Sequence, residues 1–480
     1  MSTENMSRRQ FLKLAGVTGA TIGLGAGLGG LAAACGEETA ETTTTAAQTT
    51  TTTAQTTTTA AQTTTSGAAT TTSAGPEAGR EVKIGIVAPA TGALAAFSSA
   101  VNWSVERVNE FAKDGLVAGD GKNHPLKLIT LDTQSDSSRA AQVTGDLIQN
   151  YKVDMIISAG SPETVNPSAD QCEALGMPSL SCNVPWQAFH FGRGGTPESS
   201  FKWTYAMALG LEQIVGGYID MWATLQTNKV VGALWPNTAD GQSWSNEETG
   251  APPMLKAAGY SLVFPGLYPP GAEDYTAQIS DYKKAGCEIV TGATSAPDFT
   301  NFWTQAVQRG LRPKAMTIGL ALLFPESAEA VGDIVVGCTS ELLWHPSWSF
   351  KSSLTGETCQ QLADDYEARS GQQWSPAIPQ YARLEWAIDV LKRTKNLDDK
   401  EEIIANVAST NMQTCWGPVD FTAPVQMGTD HPTPNVVRTP TAGGQWVKGT
   451  KHRFEIIPVS NKFAPGTEVV GTVQPITYPS

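Results

Sequence analysis

From Glu81 onward the chain alternates short apolar runs with stretches of helical period. Val82-Lys83-Ile84-Gly85-Ile86-Val87 predicts a strand that ends in Ala88-Pro89-Ala90-Thr91-Gly92, and Ser99 to Ala112 predicts a helix. Leu126 to Leu131 predicts a second strand, closed by Asp132. Ala140, Val143 and Leu147 then fall on one helical face. Val153 to Ile157 predicts a third strand, ending in Ser158-Ala159-Gly160-Ser161-Pro162, and a further helix leads to an apolar run from Met177 to Cys182. Strands separated by helices imply a parallel sheet covered on both faces.

The alternation restarts after about Leu211. Lys229 to Leu234, Tyr260 to Phe264 and Glu288 to Thr291 predict strands, with helices over Tyr275 to Ala285 and Phe299 to Arg309. In the last third, Cys359 to Arg369 and Tyr381 to Lys392 predict helices, the second with Leu384, Ala387, Ile388 and Leu391 on one face. Gly417 to Phe421 and Arg453 to Ile457 predict strands, and the Pro-, Thr- and Gly-rich stretch between them predicts extended loops or a hairpin. The fold class is α/β: two lobes, each a mostly parallel sheet flanked by helices. About 400 residues of this pattern exceed one ordinary core, which also calls for two lobes.

The first 80 residues break this pattern. Ser7-Arg8-Arg9-Gln10-Phe11-Leu12-Lys13 is a twin-arginine export motif, followed by an uncharged Gly-, Ala- and Leu-rich stretch from Leu14 to Ala34. The many glycines favour a signal over a membrane-spanning helix. Leu31-Ala32-Ala33-Ala34-Cys35 resembles the lipobox of bacterial lipoproteins, with Ala32 where Leu is usual. Residues 1–35 are therefore read as a lipoprotein signal with Cys35 as the lipidated residue. Residues 36–79 are low-complexity Thr, Ala, Gln and Ser, too poor in large apolar side chains to build a core. They are read as a disordered tether spanning about 35–40 Å.

Charge and cysteines narrow the function class. The formal charge of -14 argues against a nucleic-acid partner. Besides Cys35 there are six cysteines, none in a CxxC pair, which weakens zinc and thioredoxin readings. In an oxidising compartment an even number suggests disulfides, with Cys172–Cys182, Cys287–Cys338 and Cys359–Cys415 the favoured pairs and buried thiols the alternative. The five histidines, His124, His190, His345, His431 and His452, are scattered. No HExxH, GxSxG or P-loop signature is present, nor a GxGxxG followed by a helix, so no enzyme activity, metal or cofactor is expected.

The segments KIGIVAPATGALAAF, LDTQSD, IISAGSPET, ADGQSW, DYTAQISDYKKAG and FTNFWTQAVQRGL, each loose alone, are together and in this order similar to type I periplasmic binding proteins. The resemblance is to the branched-chain amino acid and amide group that serves ABC importers, and it covers about Glu81 to Val459. It implies two lobes joined by three hinge strands, a ligand in the cleft, and closure stabilised by contacts to both lobes. It also implies docking of the closed form on a permease and its ATPase. Lobe 1 is expected at 81–205 and 343–415, lobe 2 at 206–342 and 416–459, and a C-terminal extension at 460–480. The expected state is an exported, membrane-anchored monomer.

Ligands of open α/β sheets sit beyond the carboxyl ends of the strands. That rule selects Phe97, Ser161, Pro162, Asn183, Pro185, Trp186, Trp235, Asp240 and Ser295, with Trp344 at an expected crossing between lobes and Tyr381 at a helix start. By resemblance, Phe97 falls at a cleft aromatic and Ser161 at a carboxylate-binding serine. Pro185 stands near a position where relatives use Thr, and it offers neither hydroxyl nor N–H. Asp240 replaces a cleft Tyr. The expected ligand is thus a small polar or aromatic molecule other than a plain α-amino acid; Asp240 favours a cationic or hydroxyl-rich one, and the 13 tryptophans suit rings or ammonium groups. Structural readings stand beside these: packing for each tryptophan, loop capping for Ser161, an N-cap for Asp240 and a structural hydrogen bond for His345. A ligand-sensing receptor domain and an exported enzyme are the rival functions.

Overall fold

The computed structural model describes residues 75–478, except 424 and 427–431. The signal, Cys35 and most of the expected tether lie outside the described residues. At its near end Ala78 bridges to Asn123 and Gly79 N–H donates to the Asn123 carbonyl, so folded structure begins before residue 80.

The first half runs β1 Val82–Ala88, α1 Val101–Phe111, β2 Leu126–Asp132, α2 Ser137–Gln149, β3 Met155–Ala159, α3 Pro162–Leu175, β4 Ser179–Pro185, α4 Trp186–His190 and β5 Thr204–Leu209. The second runs α5 Leu211–Ala223, β6 Val230–Leu234, α6 Ala239–Trp244, α7 Ala251–Ala257, β7 Ser261–Val263, α8 Thr276–Ala285, β8 Ile289–Thr294, α9 Ala296–Gln308, β9 Ala315–Leu320, α10 Pro325–Val331 and β10 Thr339–Leu342. The last third adds α11 Cys359–Ser370, α12 Gln380–Arg393, α13 Lys400–Ala408, β11 Val436–Arg438, β12 Thr441–Lys448 and β13 Phe454–Phe463.

Two sheets result. One has the order β11-β5-β4-β3-β1-β2 and is parallel throughout. The other has the order β13-β12-β10-β9-β8-β6-β7, parallel up to β10 and antiparallel at β12 and β13. Strand β1 shows why the first sheet is covered twice. Ile84 and Ile86 join the core on the side of α1, with Val101 and Val108, while Val87 joins Val143 and Leu147 of α2 on the other side. Gly85 leaves room for Leu147, whose methyl carbon lies 3.0 Å from where a Cβ would stand.

The chain passes between lobes three times, at Leu209–Leu211, after Leu342 and at Arg438–Thr441. Two expected boundaries move. The 411–420 hairpin packs on α12, and β11 pairs in parallel with β5, so the return to lobe 2 comes after 438 rather than at 416. Residues 460–478 are no appendage: β13 continues to Phe463, Ile476 N–H donates to the Lys314 carbonyl, and Tyr478 Oη donates to the Pro313 carbonyl.

The expected disulfides are absent: all six cysteines from Cys172 to Cys415 are free and buried. Cys172 and Cys182 lie in cores on opposite faces of the first sheet. Cys287 and Cys338 lead into β8 and β10, which β9 separates, beyond the Cα spacing a disulfide spans. Cys359 is near Cys415, but its sulfur contacts the carbonyls of Phe350 and Cys415, at 3.5 and 3.4 Å. Burial pushes Cys182 and Cys287 up to about 11, and Cys172 and Cys359 to about 12.

Candidate functional site

The carboxyl ends of both sets of parallel strands face one cavity. From lobe 1 come Phe97 after β1, Pro162 after β3, Asn183 and Pro185 at the end of β4, and Leu209 at the end of β5. From lobe 2 come Asp240 and Trp244 after β6, Ala293 in β8, Leu320 at the end of β9, and Glu341 in β10. The atom-free space, counted out through the open mouth, is about 370 Å³. A second space of about 790 Å³ adjoins it, sharing Leu320 and lined by Ala93, Glu163, Pro236 and Ser295.

Five sequence-selected residues therefore meet: Phe97, Pro162, Asn183, Pro185 and Asp240. Ser295 reaches the outer space, where its Oγ caps α9 by accepting the Asp298 N–H at 3.3 Å. Ser161 is fully buried and sits at the N-cap of α3; its hydroxyl donates to Glu163 and its carbonyl accepts from Val165. Trp186 does not face the cavity. It packs with Val165, Phe189 and Phe191, and its indole N–H donates to Glu212 at 3.1 Å. Trp235 packs against Phe264 in the core. Trp344 donates to the Cys415 carbonyl at 3.0 Å, and Tyr381 lies against Trp103, so neither lines the cavity. His345 takes the structural role, bonding Ser347 Oγ at 2.8 Å.

Local backbone geometry aims the polar groups. Asn183 holds φ +62°, a left-handed conformation that Asn tolerates better than other side chains. Its Nδ2 is buried with no hydrogen-bond partner among the described residues. Leu320 holds φ +58°, where a branched side chain is strained. Asp240 is not the N-cap of α6, because Thr238 holds that position and accepts the Gly241 N–H at 3.2 Å. The Asp240 carboxylate is 2% exposed; the Trp244 indole is a donor to it, and its Oδ2 lacks a donor among the described residues. Burial raises its pKa well above the ordinary carboxyl range, and Glu163 and Glu341 add to this. The Asp240 N–H donates to Glu163 Oε1 at 3.0 Å, tying α6 of lobe 2 to α3 of lobe 1.

Sequence reasoning missed Glu341 and Trp244 as site residues. Glu341 is 6% exposed, accepts from Tyr218 Oη and from Ser340 Oγ at 3.3 Å, and burial raises its pKa. Arg383 of α12 was also missed. It is fully buried behind β4, with Nη2 donating to Gln380 Oε1 at 2.7 Å, and the Gln380 amide in turn donates to the Phe97 carbonyl. An arginine one turn before Ala387, on the apolar face of that helix, was the signal available.

The pattern that describes periplasmic binding proteins matches residues 81–437. This chain belongs to the periplasmic binding protein family. A twin-arginine translocation signal matches residues 5–25, so the chain carries an export signal for that pathway. Among solved structures the chain is similar to the leucine-binding protein LivK of Thermotoga maritima, at 18% identity and TM-score 0.64, covering 79% of this chain and 99% of that one. It is also similar to a solute-binding protein of an ABC transporter from Rhodopseudomonas palustris BisB5 in complex with 3,4-dihydroxybenzoic acid, at 17% identity and TM-score 0.61, covering 81% and 99%. A third is the substrate-binding protein LivJ of Streptococcus pneumoniae with isoleucine, at 16% identity and TM-score 0.59, covering 79% and 99%. A search of curated proteins finds no match. At these identities the structural likenesses support the two-lobed fold of the family.

Proposed function

We propose that this protein captures a small polar or aromatic solute outside the cytoplasm by closing its two lobes, and delivers it to the permease and ATPase of an ABC importer. The observation that carries the reading is the cavity between the carboxyl ends of two parallel sheets, with unpaired polar groups contributed by each lobe: Asn183 Nδ2 and Asp240 Oδ2. Phe97, Pro162, Asn183, Pro185, Asp240, Trp244 and Glu341 are the proposed contacts. Bound isoleucine and aromatic acids in similar structures support amino-acid-like and aromatic molecules as starting classes. The protein acts as a binder rather than an enzyme, works as a monomer, and is held to the membrane by lipid on Cys35.

A thermal-shift screen over amino acids, aromatic acids, amides, amines and sugars tests the reading. A ligand at a thousandfold excess over Kd stabilises the native state by about 4 kcal/mol. Small-angle scattering with and without the hit should then show compaction. No shift from any class at millimolar concentration, or turnover of a hit, would refute the proposal.

A further inference from the structure

We propose that the cavity is built to hold an organic nitrogen cation on an apolar body, an amine, amidine or guanidine, through Asp240 and Glu341. The proposal rests on the reading of the cleft as the solute site and names its ligand class.

The two carboxylates come from different elements, the first turn of α6 and the middle of the second sheet, and meet in one cavity. A buried carboxylate is retained at a cost of several kcal/mol unless a donor or cation meets it. Glu341 has Tyr218 and Ser340 as donors. Asp240 Oδ2 has none among the described residues. The charged groups acting on Asp240 are Glu163 and Glu341, both acidic, and the Trp244 indole is the group that favours its ionised form. The missing partner is thus an N–H donor bearing positive charge, and the protein leaves that place to the ligand.

Access to the acid pair is kept open. A Cβ on Gly319 would stand 3.0 Å from Glu341 Oε1 and 3.2 Å from Tyr218 Oη. Trp244 stacks on Tyr218, with ring centroids 6.0 Å apart and planes 21° apart, which fixes an indole at the acidic end; such a ring attracts a cation. Phe97, Leu209, Ala293, Leu320, Leu323 and Leu343 supply apolar wall. The lobe 1 side presents Pro162 and Pro185, which have no N–H, and one free amide donor, Asn183 Nδ2. One amide suits a carbonyl or hydroxyl and leaves a second carboxylate oxygen unmet, so the set disfavours a zwitterion. A metal ion is also disfavoured: no group of three or more His, Cys, Asp or Glu among the described residues is placed to hold one.

The test is calorimetry on the exported chain with four probes of similar size: benzamidine, phenethylamine, 2-phenylethanol and benzoate, with leucine as the zwitterion. Benzamidine or phenethylamine should bind, the alcohol and benzoate should not, and binding near neutral pH should release protons, read from buffers of different ionisation enthalpy. Asp240→Asn and Glu341→Gln should each weaken the amine by roughly 10- to 100-fold, the effect of losing a charged hydrogen bond. Gly319→Ala, which leaves both carboxylates in place, should also weaken it by narrowing the approach. Binding of benzoate or leucine in preference to the amines would overturn the cation class while leaving solute capture intact. Amine affinity unchanged in both Asp240→Asn and Glu341→Gln, with each variant folded by circular dichroism, would overturn the assignment to this acid pair. Failure of all these probes would overturn the cation class, and failure also of the wider solute screen would sink the capture reading beneath it.

Discussion

Replacing Asp240 by Asn should stabilise the empty protein, and by an amount that grows with pH. In the unfolded chain this carboxyl ionises near pH 3.9. In the folded protein burial and the neighbouring Glu163 and Glu341 raise its pKa well above that. Below the unfolded pKa both states hold the proton and stability is unaffected. As pH rises toward the folded pKa, the unfolded chain releases a proton that the native state keeps, and stability falls by about 1.4 kcal/mol per pH unit. Asparagine has no such proton. Glu326, Glu341 and Glu385 are also raised by burial, but they remain in both proteins and drop out of the difference to first order. Urea unfolding of both proteins at pH 5, 6, 7 and 8 measures it. The gap should widen in favour of the variant with rising pH. Parallel curves, or a variant that loses ground at pH 8, would show that Asp240 sits ionised and well paired, and the account of the cavity as an unfilled cation site would fail with it.

Trp186→Ala should lower folding stability by about 3–5 kcal/mol, because a buried indole and its bond to Glu212 are lost, while ligand affinity measured by calorimetry stays unchanged. Arg383→Met should raise the urea midpoint of the empty protein, by about 1–3 kcal/mol in stability, since the buried guanidinium meets no carboxylate and leaves Nε and Nη1 without partners among the described residues; a fall in stability would point to an unseen anion there. In a Cys35→Ser chain, Ellman's reagent should label none of the six remaining thiols in the native state and all six in guanidinium, with dithiothreitol leaving the thermal midpoint unmoved. Arg8→Lys with Arg9→Lys should leave the protein in the cytoplasm on cell fractionation, because the twin-arginine signal at residues 5–25 is its route out.

Most of lobe 1 was legible because its strands are continuous apolar runs bounded by turns. Val82–Ala88, Leu126–Asp132 and Met155–Ala159 lie within two residues of the expected strands at each end. Lobe 2 hid its centre. Strand β10 carries Thr339, Ser340 and Glu341, all buried, so it does not read as an apolar run, and Thr317 and Gly319 interrupt the apolar residues of β9. These polar groups satisfy one another: Trp222 Nε1 donates to Thr317 Oγ1 at 2.7 Å, Thr317 and Thr339 hydroxyls pair at 2.7 Å, and Ser340 Oγ donates to the Ile318 carbonyl at 2.8 Å. Composition cannot distinguish such a buried network from a polar loop, since its stability depends on partners 22 to 95 residues away. Strand β12, rich in Gly, hid for a related reason. A Cβ at Gly443 would stand 2.7 Å from Met221 Sδ, so this residue marks close packing on α5 rather than a turn.

The site divided in the same way. The rule that ligands gather beyond the carboxyl ends of parallel strands located Phe97, Pro162, Asn183, Pro185 and Asp240 because each lies just after, or at the end of, a strand that could be read. It failed for Glu341, which lies in a strand that could not. It overreached at Trp186, one residue beyond Pro185: α4 begins at Trp186 and carries the ring toward Val165 and Phe189, away from the cavity. Position after a strand fixes where a residue's backbone lies, whereas the next helical turn decides where its side chain goes. The strained φ of Asn183 and Leu320 belongs to the same boundary. Both stand where a strand ends at the cavity, and both depend on surrounding packing to hold a conformation the isolated chain disfavours. Part of the cavity is therefore set by residues whose local sequence resists their placement, and Glu341 by a strand that polar residues conceal, which is why the fold was easier to read than the ligand.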